Sequence, residues 1–180
     1  RSPLQTTFAI ANIALVNSRP ETLTIREMLD LYVEHRKEVI RRRSRFLMKR
    51  ARNLAHIREG LILAVGDIDE IIEIIKKSPD VPTAKINLMN KPLRLAESQT
   101  LRKLLPAEFV RDKTRNDHFL TGPQADAILN MQLHRLTGLE IEKLAKDYAA
   151  LIEEIKGYEA ILADEKVLLG IIRQDINEIK

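Results

Sequence analysis

The sequence contains neither cysteine nor tryptophan. Without thiols there is no disulfide and no thiolate metal site, a usage that fits a cytoplasmic protein. Aromatic residues make up only 4% of the chain. Leu, Ile and Ala carry most of the apolar share instead, which favours helices over a sandwich or barrel. No apolar run reaches the ~18 residues a membrane helix needs, so no membrane is expected among the partners. The six glycines are scattered, and no phosphate-cradling loop is formed. His35, His56, His118 and His134 show no metal-ligand spacing, so no metal is expected. Glu153 and Glu154 are neighbours that point apart on a helix, which does not support acid/base catalysis. Arg1-Ser2-Pro3 is followed by no apolar core, so it reads as a cut within a longer protein rather than a signal peptide.

What the sequence does have is long periodic stripes. From Thr137 to Lys180 a heptad reading places Ile141, Tyr148, Ile155, Leu162, Leu169 and Ile176 at position a. Position d holds Leu144, Leu151, Tyr158, Glu165, Ile172 and Ile179. Eleven of the twelve seam residues are apolar, the signature of a coiled coil. Glu165 breaks the seam, and it is expected either to pair with a base on the partner helix or to face solvent. Thr137 with Glu140 forms a capping box at the start.

A second long helix is predicted from the capping box Thr24–Glu27 to about Val65. Val33, Ile40, Leu47, Leu54 and Leu61 recur every seven residues. Tyr32, Val39 and Phe46 widen the stripe early, and Ile57, Ala64 and Val65 widen it late, as in a nearly straight helix. Both helices extend roughly 60 Å. Residues 25–65 hold eleven Lys/Arg and five Asp/Glu, whereas residues 140–180 hold six and ten. Opposite charge on two helices of equal length predicts an antiparallel pair. Even pairing from the tip brings Leu54 near Ala150–Leu151, Arg50 near Glu153–Glu154 and Leu47 close enough to Gly157 for a disulfide.

Residues 66–138 must then form a cap. Asp67 is expected to cap a short helix with apolar face Ile68, Ile71, Ile72 and Ile75, stopped at Ser78-Pro79. Thr83 to Met89 suggests another. Lys91 to His118 lacks periodicity and reads as loop with helical turns. Thr121 with Gln124 is a third capping box, opening a helix to Leu136. The residues before Pro20 read as strand, with a turn at Asn17–Pro20. The expected fold is mostly α: a long antiparallel coiled-coil hairpin capped by a small helical globular dimerisation domain. Its segments are 1–23, then helix 24–65, cap 66–138 and return helix 139–180.

Two sets of residues invite a function. On the Thr121–Leu136 helix, Ile128, Leu129 and Met131 span too much of the circumference to face inward together. The leftover side, with Ala125, Gln132, Arg135 and Leu136, is the expected homodimer interface. The second set is the basic run from Arg36 to Arg52. Arg41, Arg42, Arg43 and Arg45 are its candidates for DNA phosphate. The competing reading is a solvated face partly paired with the acidic helix, since Phe46 is assigned to the apolar stripe and no aromatics interleave the bases.

The stretch Phe119-Leu120-Thr121-Gly122-Pro123-Gln124-Ala125, running through Ile128-Leu129 to Leu136-Thr137-Gly138-Leu139-Glu140, resembles the A subunits of bacterial type IIA DNA topoisomerases. The gyrase side of that family is nearer than the topoisomerase IV side. Glu34-His35-Arg36, Glu38 to Arg43, Ala55-His56-Ile57 and Asp67 to Ile72 agree with it, while Gly122-Pro123 departs from the usual polar pair. The resemblance implies that 1–23 end an upstream tower domain. It also implies that the hairpin carries a tip which meets its two-fold mate as the exit gate for a transported DNA duplex. The family's catalytic tyrosine follows an arginine in another domain, and that motif is absent here. Tyr32, Tyr148 and Tyr158 fall on helix stripes, so the segment is expected to be inactive alone and to hold no cofactor. Mg and ATP are used elsewhere in the parent, and the implied partners are DNA and the ATPase B subunit. The alternative is a helical arm that binds nucleic acid through its basic run.

Overall fold

A computed structural model describes residues 4, 10–93, 105–115, 117–132 and 138–179. These residues are mostly α-helical, and no helix among them is long and apolar enough to cross a membrane. The chain divides into two compact units, residues 1–44 with 161–180 and residues 45–160. Helices α1 (Ile25–Gly66) and α6 (Gly138–Ala163) each run from one unit into the other.

The first unit opens with a hairpin. β1 (Ile13–Val16) pairs antiparallel with β2 (Arg19–Thr22), from Ile13↔Thr22 to Val16↔Arg19. Asn17 and Ser18 turn the chain with φ of 50° and 67°, the doubly left-handed conformation of the tightest hairpins. The turn is thus narrower than expected. Pro20 lies in β2 opposite Leu15, tolerated because the two-stranded ribbon is all edge. The Thr24–Glu27 capping box is formed. The Thr24 N–H donates to the Glu27 carboxylate at 2.7 Å, and the Glu27 N–H donates to the Thr24 hydroxyl at 3.3 Å. The Thr24 bonds hold the Glu27 carboxyl below its usual range.

The return helix is not continuous. Asp164 takes an extended conformation, and its carboxylate accepts the Lys166 N–H at 2.8 Å, capping a new helix, α7 (Glu165–Glu178). After the break Ile172 keeps its expected seam place, buried with Leu168 and Ile40, whereas Leu169 and Ile176, also assigned to the seam by unbroken heptads, are 41% and 51% exposed. Tyr32 and Val39 are also exposed rather than part of a widened stripe.

The core of the second unit joins α1 to α6. Ala51, Ala55, Leu61 and Ile62 are buried with Ala145, Tyr148 and Ile155. Leu54, expected in the seam, is 44% exposed. The seam runs through alanines beside it, where small side chains let backbones approach. The phase differs because a straight helix drifts against a seven-residue repeat. Arg52 meets Glu159 and Arg58 meets Asp147, so partner numbers fall along α6 as they rise along α1, the antiparallel sense. Leu54 and Arg58 border a cleft with Ala150 and Leu151, near the expected register. An ideal Cβ at Gly157 would have no heavy atom within 4 Å, so no side chain packs directly on that position.

The cap core extends this packing. α2 (Ile68–Lys77) buries Ile71, with Ile74 and Ile75 partly covered. Asp67 precedes α2, but its side chain makes no capping bond. α3 (Val81–Asn90) is capped by Asp80, which accepts the Thr83 N–H at 2.8 Å and is held below its ordinary pKa by that residue. The segment read as loop is more ordered than expected. β3 (Pro92–Leu93) pairs with β4 (His118–Phe119), and α4 (Ala107–Arg115) lies between them in sequence. A two-residue ribbon paired across 24 intervening residues has no local signal, and Phe109 is the deeply buried side chain among those described in α4. Ile62, Ile71, Leu88 and Leu93 are fully buried, and each stabilises the cap by roughly 1.5–3 kcal/mol.

Candidate interaction surfaces

The Thr121 capping box opens α5 (Gly122–Leu129), with the Thr121 N–H donating to Gln124 Oε1 at 2.9 Å. The helix stops at Asn130, short of the expected Leu136. The Asn130 side chain and N–H both donate to the Asp126 carbonyl, at 2.8 and 3.1 Å, and close the last turn. α5 packs against α3, and its Gln124 bonds it to α1.

The link to α1 is polar and buried. Gln124 is 4% exposed, and its amide donates to the His56 carbonyl at 2.8 Å. His56 Nε2 lies 2.8 Å from the Thr121 hydroxyl. Gly60 leaves the space for Gln124, since a Cβ there would sit 2.6 Å from Gln124 Cγ. The capping box was legible in the sequence; the docking role of its glutamine was not, although a glycine in mid-helix hinted at a close approach.

The structure divides the expected interface residues. Ala125 and Ile128 are buried, at 0% and 4% exposure, by their own chain. They form the cap core and do not reach a surface. Leu129 and Met131 are half-buried against that core, and Gln132 is exposed. Arg135 and Leu136 lie outside the described residues. Near Met131, a small cavity of about 150 Å³ is bordered by Arg58, Leu61, Glu140 and Lys143. Other apolar side chains on the cap surface are Val81, Ile86, Phe119 and Leu139.

The basic run splits by partner. Arg36 meets Asp175 at 2.6 Å, and Lys37 meets Glu165 at 2.8 Å. Arg52 and Arg58 pair with acids of α6. In these four pairs the base is on α1 and the acid on the return helices, as the charge asymmetry predicted. Arg42 bonds Glu38 on its own helix at 2.7 Å, and Arg41 lies near Glu165. Arg43, Arg45, Lys49 and Arg50 are exposed and have no ion pair among the described residues. Phe46 is not in the buried stripe. It is 66% exposed among these cations, so an aromatic does interleave the run.

Among the described residues no group of three or more His, Asp or Glu side chains could hold a metal. Tyr148 is buried against Phe109, with ring centroids 4.8 Å apart, and burial, reinforced by Glu59, pushes its phenol far above the usual range. Tyr158 donates to Glu154 at 2.6 Å. Tyr32 is 52% exposed, contrary to a core role.

The family model for the A subunit of DNA gyrase/topoisomerase IV matches residues 1–177. A DNA gyrase A subunit from Staphylococcus epidermidis is 43% identical over all 180 residues. One from Staphylococcus aureus is 39% identical over the same span. The chain spans 17% of the length of each of these curated relatives. With a match over nearly its whole length, and with the paired helices and capped α5 that its motifs implied, the chain belongs to the family of DNA gyrase/topoisomerase IV A subunits.

Proposed function

We propose that this chain is the coiled-coil arm and exit-gate dimerisation cap of a type IIA topoisomerase A subunit. In that role it acts within an ATP-dependent enzyme that changes DNA topology, alongside a B subunit that hydrolyses ATP. It performs no chemistry itself and lets a transported duplex leave. The observation that carries the reading is the end of α5, where Leu129 and Met131 are only half covered beside the exposed Gln132, on a cap matched throughout by gyrase sequences. An apolar patch with a polar rim favours a partner surface, and a two-fold contact presents it to itself.

The test uses two neighbouring positions with opposite burial. Leu129→Glu should give a monomer by light scattering with its helical circular dichroism retained, since a two-fold contact would bury like charges against each other. Ile128→Glu should instead unfold the cap, because Ile128 is covered by its own chain. A Leu129→Glu protein that remains a dimer places the gate contact elsewhere.

A second reading, contact of the arm with DNA phosphate, is favoured by the cations of α1 that no acid among the described residues neutralises. It coexists with the first, because a passing duplex requires weak binding.

A further inference from the structure

In the second unit α1 has an outward face with its own apolar stripe. Phe46, Leu54 and Ile57 line an open groove of about 380 Å³ together with Lys49, Arg50 and Asn53. Phe46 lies two residues, or about 200° of helical rotation, from the seam position Met48, and so points away from the core, whereas Ile57 is partly buried and closes the groove at the core's edge. From Phe46 to Ile57 the stripe runs three turns, about 16 Å. Phe46 is 66% exposed and lies outside the core cluster. Lys49, Arg50 and the adjoining Arg45 are exposed without an acid among the described residues, although Arg52 on the flank is held by Glu159 at 2.7 Å.

We infer that this groove seats an acidic amphipathic helix from a partner polypeptide. Apolar side chains repeating every three or four residues would cover Phe46, Leu54 and Ile57, while Asp and Glu beside them would meet Arg45, Lys49 and Arg50. Charge complementarity selects the sign of the partner, and the stripe selects its shape. Duplex DNA uses the cations alone: its phosphate backbone covers no apolar side chain, and its paired bases are not free to stack on Phe46. The groove is separate from the cap surface, so this inference stands or falls independently of the gate.

The probe is a fluorescent helical peptide of about 18 residues, with Leu on one face and Glu on the other, beside a scramble of the same composition. The 180-residue chain should bind the amphipathic peptide about tenfold more tightly than the scramble. Phe46→Ser and the pair Lys49→Glu with Arg50→Glu should each weaken binding by about tenfold or more. These positions are exposed, so the variants should keep their helical signal and melting temperature, which is checked first. Equal binding of the two peptides overturns the inference, as does a Phe46→Ser protein that binds normally. A duplex of about 20 base pairs that displaces the peptide and depends on Phe46 assigns the face to nucleic acid and overturns it as well.

Discussion

A methyl group at position 60 would lie 2.6 Å from Gln124 Cγ and 2.8 Å from its Cβ, closer than real carbon contacts allow. Gln124 has little freedom to retreat, because its two ends are bonded to the His56 carbonyl and the Thr121 N–H. Gly60→Ala should therefore cost about 1–3 kcal/mol in denaturant unfolding. Gln124→Ala removes the buried amide that donates to the His56 carbonyl and accepts the Thr121 N–H, and should cost a similar ~1–3 kcal/mol. Shortening Gln124 removes what the added methyl strikes, so the double variant should cost less than the two singles together, by about 0.5–3 kcal/mol. Strict additivity would show that the two side chains do not meet. The capping box was readable because its residues are three apart. The glycine and its glutamine sit on different helices, and a local pattern cannot pair them.

The return helices show what a heptad pattern conveys and what it omits. Eleven apolar seam residues out of twelve announced a coiled coil, and helices α6 and α7 do pack against α1 within their respective units. The pattern could not register that Asp164, with a carboxylate acceptor on a short side chain, caps a new helix more readily than it continues the old one. After the break Leu168 and Ile172 take the buried places. Glu165, the one polar seam residue, becomes the acid for Lys37, whose side chain is only 13% exposed and also bonds Glu34. The Lys37 hydrogen bond holds the Glu165 carboxyl below its usual range, and Glu165, followed by Glu34, holds the Lys37 ammonium above its own. A depressed carboxylate stabilises the fold above its unfolded pKa, about 4.3, and that contribution fades as pH falls through the lower folded value. A raised lysine stabilises below about 10.4 and fades as pH climbs through its higher folded value. Glu165→Gln should therefore melt below the parent protein at pH 7, and the gap should close on acidification below about pH 4. A gap that persists in acid would mean that Glu165 acts through packing rather than charge.

Across the whole chain, the charge partition gives each long element its partner. Bases dominate α1 and acids the return helices, and the ion pairs between them in both units obey that rule. The cations left over provide a test of DNA contact. Arg43→Glu with Arg45→Glu should leave the helical signal intact, because neither side chain has an ion pair to lose among the described residues. It should weaken duplex binding and flatten the dependence of log affinity on log salt by up to about 0.9 per lost contact. An unchanged slope would make these arginines a solvated face. The mostly α class was legible because it depends on composition and spacing. The buried fate of Ala125 and Ile128 was not, since it is decided by what α1 and α3 bring to α5.

The same partition has a consequence during synthesis. α1 ends at Gly66 and α6 begins at Gly138, so the basic helix leaves the ribosome about 70 residues ahead of its acidic partner. At ~5–20 residues per second, roughly 4–14 s pass before the first acid is made. Throughout that interval Ala51, Ala55 and Ile62 are uncovered, and Arg52 and Arg58 lack their counterions. The nascent arm is then most cationic and most adhesive, and that is when misassembly competes most strongly with folding.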